Sequence, residues 1–223
     1  MSNKEVYVWG DSHWRNFFPF LNTGSPGVIF EKDGISFIDM VANELSGATM
    51  YGLANINSKN GARRRILKDI HFLKDASCDI ENIALTFGEV DVRYHNHHYF
   101  SEDRFLISKA KDTIEIYKNF IDSIAKKCDN LKNVFIYWGF YYPRGEETLL
   151  QPHLKMGKDS LYRANAMLNW MEELLPKIES NIIKLIMPED KSLISVSDDG
   201  VHLDPKFTFE NITFPFIKKV LND

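Results

Sequence analysis

Four short apolar runs punctuate the chain: EVYVW near Val6, NIALTF ending at Phe87, NVFIYWG around Ile136 and NIIKLIM around Ile183. Runs that are apolar at consecutive positions suit strands covered on both faces, and the longer amphipathic stretches between them suit crossover helices. That alternation favours a parallel, doubly wound sheet with helices on both sides, a three-layer α/β/α sandwich. A chain of 223 residues with 44% hydrophobic content can fill one core without disulfide or metal staples, so a single domain over 1–223 is expected. Linkers, repeats and low-complexity tracts are not evident.

The helical stretches carry their own punctuation. RRRILKDIHFLKD follows Gly61, and SEDRFLISKAKDTIEIYKNFIDSIAKKC opens with acidic residues that suit the positive end of a helix dipole. In the second stretch Ile107, Ala110, Ile114, Tyr117, Phe120 and Ile124 recur at helical spacing and read as core. KDSLYRANAMLNWMEELLPKI reads as a third helix and DPKFTFENITFPFIKKVLN as the last, with Asp204 as its N-cap and Pro205 at its first position. GVIFEKDGISFIDMVANEL admits a short strand, a helix start or both. Only a strand or turn near Ser46-Gly47 is assigned there.

Charge and cysteine usage narrow the function classes. A net charge of −4 argues against a general nucleic-acid binder, which needs a basic face to displace counterions from phosphates. The basic cluster in GARRRILK is followed by hydrophobic residues at helical spacing and reads as a solvated helix face. Cys78 and Cys128 are the two cysteines, with neither a CxxC pair nor a ladder, so both are expected to be reduced thiols. The start MSNKEVYVWG runs directly into a strand without a basic-then-apolar leader. No apolar run approaches the roughly 20 residues of a membrane helix. The expected compartment is the cytoplasm, with no membrane insertion and no cofactor.

In a doubly wound sheet, ligands sit beyond the carboxyl ends of the strands. Three loops are therefore expected at one edge: GDSH after the first strand, GEVDVRYH after NIALTF, and SDDGVHLDP before the last helix. Ser12 reads either as a helix N-cap or as a nucleophile. A serine nucleophile needs a base within hydrogen-bonding reach, itself held by a third group. His202 and Asp199 in DGVH could supply both from one turn, with Asp198 as the rival orienting acid. His13 reads as a packing or rim residue.

Together these blocks resemble the SGNH hydrolases, also called GDSL-like esterases. GDSH matches the nucleophile block, SGAT the glycine block, GEVD the third block and DGVH the Asp-x-x-His block, in family order over most of the chain. The resemblance implies a flavodoxin-like sheet, with Ser12 as nucleophile, His202 as base and Asp199 as its partner. It places the backbone N–H groups of Ser12 and Gly47 in the oxyanion hole, with Gly52 as a second candidate for the glycine. The third block departs from the family's Gly-x-Asn-Asp: Gly88-Glu89-Val90-Asp91 has a valine where an asparagine side chain would donate to the oxyanion. Losing one such donor costs about 2.7–4 kcal/mol. Arg93, Asn55 and His95 are the candidate replacements, Arg93 foremost because a guanidinium can deliver a charge-assisted bond.

GEVDVRYH also resembles a Gly-Glu-Ile-Asp-Cys-Arg signature of SGNH-like proteins associated with surface polysaccharides, which implies an acyl group on a sugar as substrate. Glu89, Asp91 and Arg93, with Asp11 and Asn55, are then the substrate-binding candidates, and the equal alternative is that the charged cluster braces its loop. Tyr141, Tyr142 and Arg144 could form a binding lip, while Trp138 and Phe140 read equally well as core. The expected function is an acyl ester hydrolase or O-acyltransferase acting through an acyl-enzyme on O-acetylated carbohydrate. The competing reading is a non-catalytic glycan-binding or assembly module on the same scaffold. A divalent metal held by Asp11, Glu89 and Asp91, with phosphoester chemistry, is a third, and would leave DGVH unexplained. His95, His97 and His98 lack a partner at a metal-binding spacing, so no metal is expected there.

Overall fold

Gly10 ends a strand that is buried from Val6 onward, and that strand is central to the sheet. The computed structural model describes residues 4–10, 18–19, 27–40, 50–54, 58, 61–88, 91, 103–137, 169–170, 172–186 and 204–223. Within them β1 (Lys4–Gly10), β2 (Ile29–Lys32), β3 (Ile35–Asp39), β4 (Asn82–Thr86), β5 (Asn133–Tyr137) and β6 (Ile183–Ile186) form a six-stranded sheet in the order β2-β3-β1-β4-β5-β6. All neighbours are parallel except β2 and β3. The four apolar runs are β1, β4, β5 and β6, and the architecture is the mixed α/β sheet flanked by helices that they predict.

The undecided stretch GVIFEKDGISFIDM resolves as a hairpin. Lys32 pairs with Ile35 across a two-residue turn, and both turn residues, Asp33 and Gly34, have positive φ (49° and 77°). A Gly, and less readily an Asp, tolerates that conformation, and Asp-Gly between alternating strands is a hairpin signal. The strand or turn expected near Ser46-Gly47 lies outside the described residues.

Two helices cover one face. α1 (Ala62–Asp75) meets β1 where the Trp9 indole donates to Asp69, and α2 (Asp103–Ala125) meets β4 where the Tyr117 hydroxyl donates to the Leu85 carbonyl. Ala110, Ile114, Tyr117, Phe120 and Ile124 are buried as the helical spacing requires, while Ile107 is half-buried. The basic cluster is only partly solvated. Arg64 is exposed, but the Arg63 guanidinium lies over the Phe120 ring and Arg65 pairs with Asp69. A long arginine stem can cover apolar surface in this way while its head keeps a partner.

The C-terminal helical run covers the other face. It comprises α3 (Pro205–Thr208), a π-helical turn (Phe209–Thr213) and α4 (Phe214–Asn222). The Asp204 side chain accepts from the Phe207 amide at 2.8 Å, with Pro205 at the first position, as the sequence predicts. Phe37 meets Phe209 and Phe214 on one side, and Phe135 meets Phe216 on the other. Phe18 packs against both Phe37 and Phe209, which brings the chain that leaves β1 back into this layer.

The direction of that run matters for the site. Lys4, at the amino end of β1, reaches the Leu221 carbonyl and Asn222, and Asp33, in the turn before β3, pairs with Lys218. The end of α4 is therefore at the amino edge of the parallel strands. The helical run descends antiparallel to them, and Asp204 starts it at the carboxyl edge.

Candidate active site

Three strand ends meet at the carboxyl edge. Gly10 stands in register with Thr86, and Val8 with Asp39, so the chain leaves β1, β3 and β4 from adjacent positions. Connections in one direction across a parallel sheet lie on one face, and those in the other direction on the opposite face, because crossovers are right-handed. Here β3, β4, β5 and β6 succeed one another in one direction and β1 to β3 runs in the other. The faces consequently switch between β1 and β4. That switch point is the position at which doubly wound sheets bind ligands.

Ser12 follows Gly10 by two residues and Glu89 follows Gly88 by one. Gly88 itself is buried with φ of 122°, a conformation that L side chains rarely adopt, so glycine is required for the chain to turn out of β4. Beneath these ends the Thr86 hydroxyl lies 3.5 Å from the Trp9 carbonyl, donating to it across the last rung of the β1–β4 ladder.

Asp91 has the best defined surroundings of the candidate residues. It is fully buried, and one carboxylate oxygen accepts from the Met50 amide at 2.6 Å while the other accepts from the Tyr51 amide at 3.1 Å. These amides open the short 3-10 turn Tyr51–Ala54. The bracing alternative for the charged cluster describes these contacts of Asp91 directly. Arg63 holds the same turn from below, donating to the Leu53 carbonyl at 2.9 Å, while Met50 and Leu53 are fully buried. Gly52, the second candidate for the oxyanion glycine, lies within this turn.

Ser12, Asp11, His13, Gly47, Asn55, Glu89, Val90, Arg93, His95, His97, His98, Tyr141, Tyr142, Arg144, Asp198, Asp199 and His202 lie outside the described residues. Their neighbours in the chain are described: Gly10 before Ser12, Met50 after Gly47, Gly88 before Glu89, and Asp204 two residues after His202. Among the described residues no group of three or more His, Cys, Asp or Glu side chains is arranged to hold a metal ion. No described helix is long and apolar enough to cross a membrane.

Two features at this edge are not evident from the sequence motifs. Asp39, at the last position of β3, is a fully buried carboxylate one strand away from β1. An acid closing the strand ISFID, apolar apart from Ser36, is the sequence signal for it. Tyr51 is 44% exposed, with the Lys109 ammonium over its ring. Nothing in MYGLAN marks that tyrosine as a rim residue, because its placement depends on Asp91, which is distant in sequence.

No protein-family model matches the chain, and no curated protein matches it. Among solved structures it is similar to the crystal structure of phospholipase A1 from Streptomyces albidoflavus NA297, at 11% sequence identity and a TM-score of 0.44, over 98% of this chain and 99% of that one.

Proposed function

We propose that the protein is a serine-dependent acyl ester hydrolase or O-acyltransferase, with Ser12 as nucleophile, His202 as general base and Asp199 as the acid that orients the imidazole. The observation that carries this reading is the register at the carboxyl edge. β1 and β4 end side by side at the switch point, and the helical run that follows DGVH starts at the same edge. Gly10 of GDSH, Gly88 of GEVD and Asp204, two residues after DGVH, lie at that edge, which supports the reading that the three blocks meet there.

In this mechanism Ser12 Oγ attacks the ester carbonyl carbon as its proton passes to His202. The N–H groups of Ser12 and Gly47 stabilise the oxyanion. Collapse breaks the bond to the alcohol, which leaves with the proton from His202, and an acyl-enzyme remains. Water, or a second hydroxyl, then gives its proton to His202 and attacks the acyl carbon, and collapse breaks the bond to Ser12 Oγ as His202 returns the proton to it. The substrate we assign is an O-acetyl group on a carbohydrate, on the strength of Glu89, Asp91 and Arg93 occurring together in GEVDVR. Val90 motivates the competing reading of a glycan-binding module that lacks catalysis.

Hydrolysis of p-nitrophenyl acetate by the wild type, Ser12→Ala and His202→Ala tests the proposal, with rates normalised to folded protein. Loss of turnover in both variants, with fluorophosphonate labelling of the wild type and none of Ser12→Ala, supports it. Background rates in all three with no labelling of the wild type support the binding module instead.

A further inference from the structure

The two cysteines of the chain, distant in sequence, come to one place at the amino edge of the sheet. Cys78 lies between α1 and β4, and Cys128 between α2 and β5. Both line a cleft of about 230 Å³ with Lys74, Asp79, Asp129 and Asn130. The segments that carry them are clasped side by side. On the helix side the Lys74 ammonium donates to the Lys127 carbonyl at 2.5 Å and to the Asp129 carboxylate at 3.2 Å. On the strand side the Asn130 amide donates to Asp79 at 3.0 Å, Lys132 pairs with Glu81, and Asn133 donates to Asn82 at 2.8 Å, each at a separation of 51 residues. Extended to the cysteines, that constant separation puts Cys128 one position out of register with Cys78. For neighbouring chains about 4.8 Å apart, a step of one residue gives about 6 Å between Cα positions, a span that a disulfide closes without strain.

The surroundings give the two thiols different parts. Cys128 is buried, and burial pushes its thiol up against the opposing charge of Lys74. Cys78 is only half-buried, so a solute in the cleft meets it first. The Tyr7 hydroxyl, held in its protonated form by burial and by Glu5, is in hydrogen-bonding contact with Cys78.

We infer that Cys78 and Cys128 form a redox site, in which a hydroperoxide oxidises Cys78 and Cys128 resolves the product to a disulfide that staples the end of α1 to the end of α2. With hydrogen peroxide, the Cys78 sulfur takes one oxygen to become a sulfenic acid, and the other oxygen leaves as water with the thiol proton. The Cys128 sulfur then attacks the Cys78 sulfur, the S–O bond breaks, and the hydroxyl leaves as water with the Cys128 proton. The thiols lose two electrons and the peroxide gains them. This edge is opposite to the one where GDSH leaves β1, so the staple does not depend on the esterase chemistry proposed there.

To test this, the protein is exposed to hydrogen peroxide, the remaining thiols are alkylated, and the peptides are mapped without reduction. The expected product is a cross-linked pair of peptides holding Cys78 and Cys128, lighter by two hydrogens and separated again by dithiothreitol. Closing a loop of about fifty residues restricts the unfolded chain, so the thermal midpoint of the oxidised protein should rise by roughly 5–10 °C. Cys78→Ser should give no cross-link and leave Cys128 a thiol. Cys128→Ala should stop at the sulfenic acid on Cys78, which dimedone captures; should that variant fail to fold, the map of the wild type decides alone.

Cys78 carried on to a sulfinic acid, or joined to a second copy, while Cys128 stays a thiol would overturn the inference. Two unmodified thiols at a peroxide concentration that oxidises free cysteine would do the same, as would a cross-link that forms only in urea-unfolded protein.

Discussion

The Trp9 indole N–H donates to the Asp69 carboxylate at 3.2 Å, tying β1, one residue before its end at Gly10, to the middle of α1. Trp9 is fully buried, and burial raises the Asp69 carboxyl above its ordinary range, against the pull of the Trp9 bond and of Arg65. A carboxyl whose folded pKa is raised contributes stability below its unfolded pKa and loses it as pH rises through the folded value. Trp9→Phe removes a bond that favours the ionised form and so raises that pKa further. The expected loss is about 2 kcal/mol at neutral pH and less at a pH well below the ordinary carboxyl range, where Asp69 is protonated in both states. Urea unfolding at the two pH values measures it, and an equal loss at both would mean that the bond does not sense the carboxylate charge.

Gly88→Ala should be costly despite the small change in volume. The position is buried with φ of 122°, and holding an L residue there costs about 1–3 kcal/mol. For a domain of this size that corresponds to a Tm lower by roughly 2–4 °C per kcal/mol. A thermal midpoint unchanged from the wild type would show that the turn out of β4 adopts another conformation in solution.

Asp204→Ala removes the side chain that caps the C-terminal helical run, at a cost of about 1 kcal/mol. Because His202 is two residues upstream, fraying here should also lower ester turnover. Asp204→Ser, which retains a capping oxygen, should recover both. Recovery of stability without recovery of turnover would separate the cap from the histidine.

Arg93 and Val90 can be tested as a pair. If Arg93 supplies the missing oxyanion donor, Arg93→Ala should lower kcat by about 10²–10³-fold, the usual loss for one donor. Adding Val90→Asn to that variant should restore part of it. Unchanged kcat in Arg93→Ala would remove Arg93 from the oxyanion hole.

Much of the scaffold was legible because its signals are local. Four strands announce themselves as apolar runs, the buried stripe from Ala110 to Ile124 follows helical spacing, and Asp204-Pro205 marks a helix start through its own backbone chemistry. The β2–β3 hairpin was legible in Asp33-Gly34 but was obscured by ISFID, whose mixed pattern of apolar and polar residues is too short to tell a strand from a helix start. Arg63 was misjudged for a different reason. Its aliphatic stem and guanidinium are satisfied by Phe120 and Leu53, partners that no local pattern reveals.

By itself, the sequence determined the alternation of strands and helices, the caps and the order of the four blocks, since each depends on residues a few positions apart. Tertiary structure alone decided that β1 lies between β3 and β4, that Gly10 is level with Thr86, and that the run after DGVH starts at the same edge. It also decided that the buried carboxylate of Asp91 is taken up by the amides of Met50 and Tyr51, about forty residues away. The physical reason is that strand order and buried polar pairing are settled by which faces can be covered and which groups can be satisfied at once, and these are conditions on the whole chain.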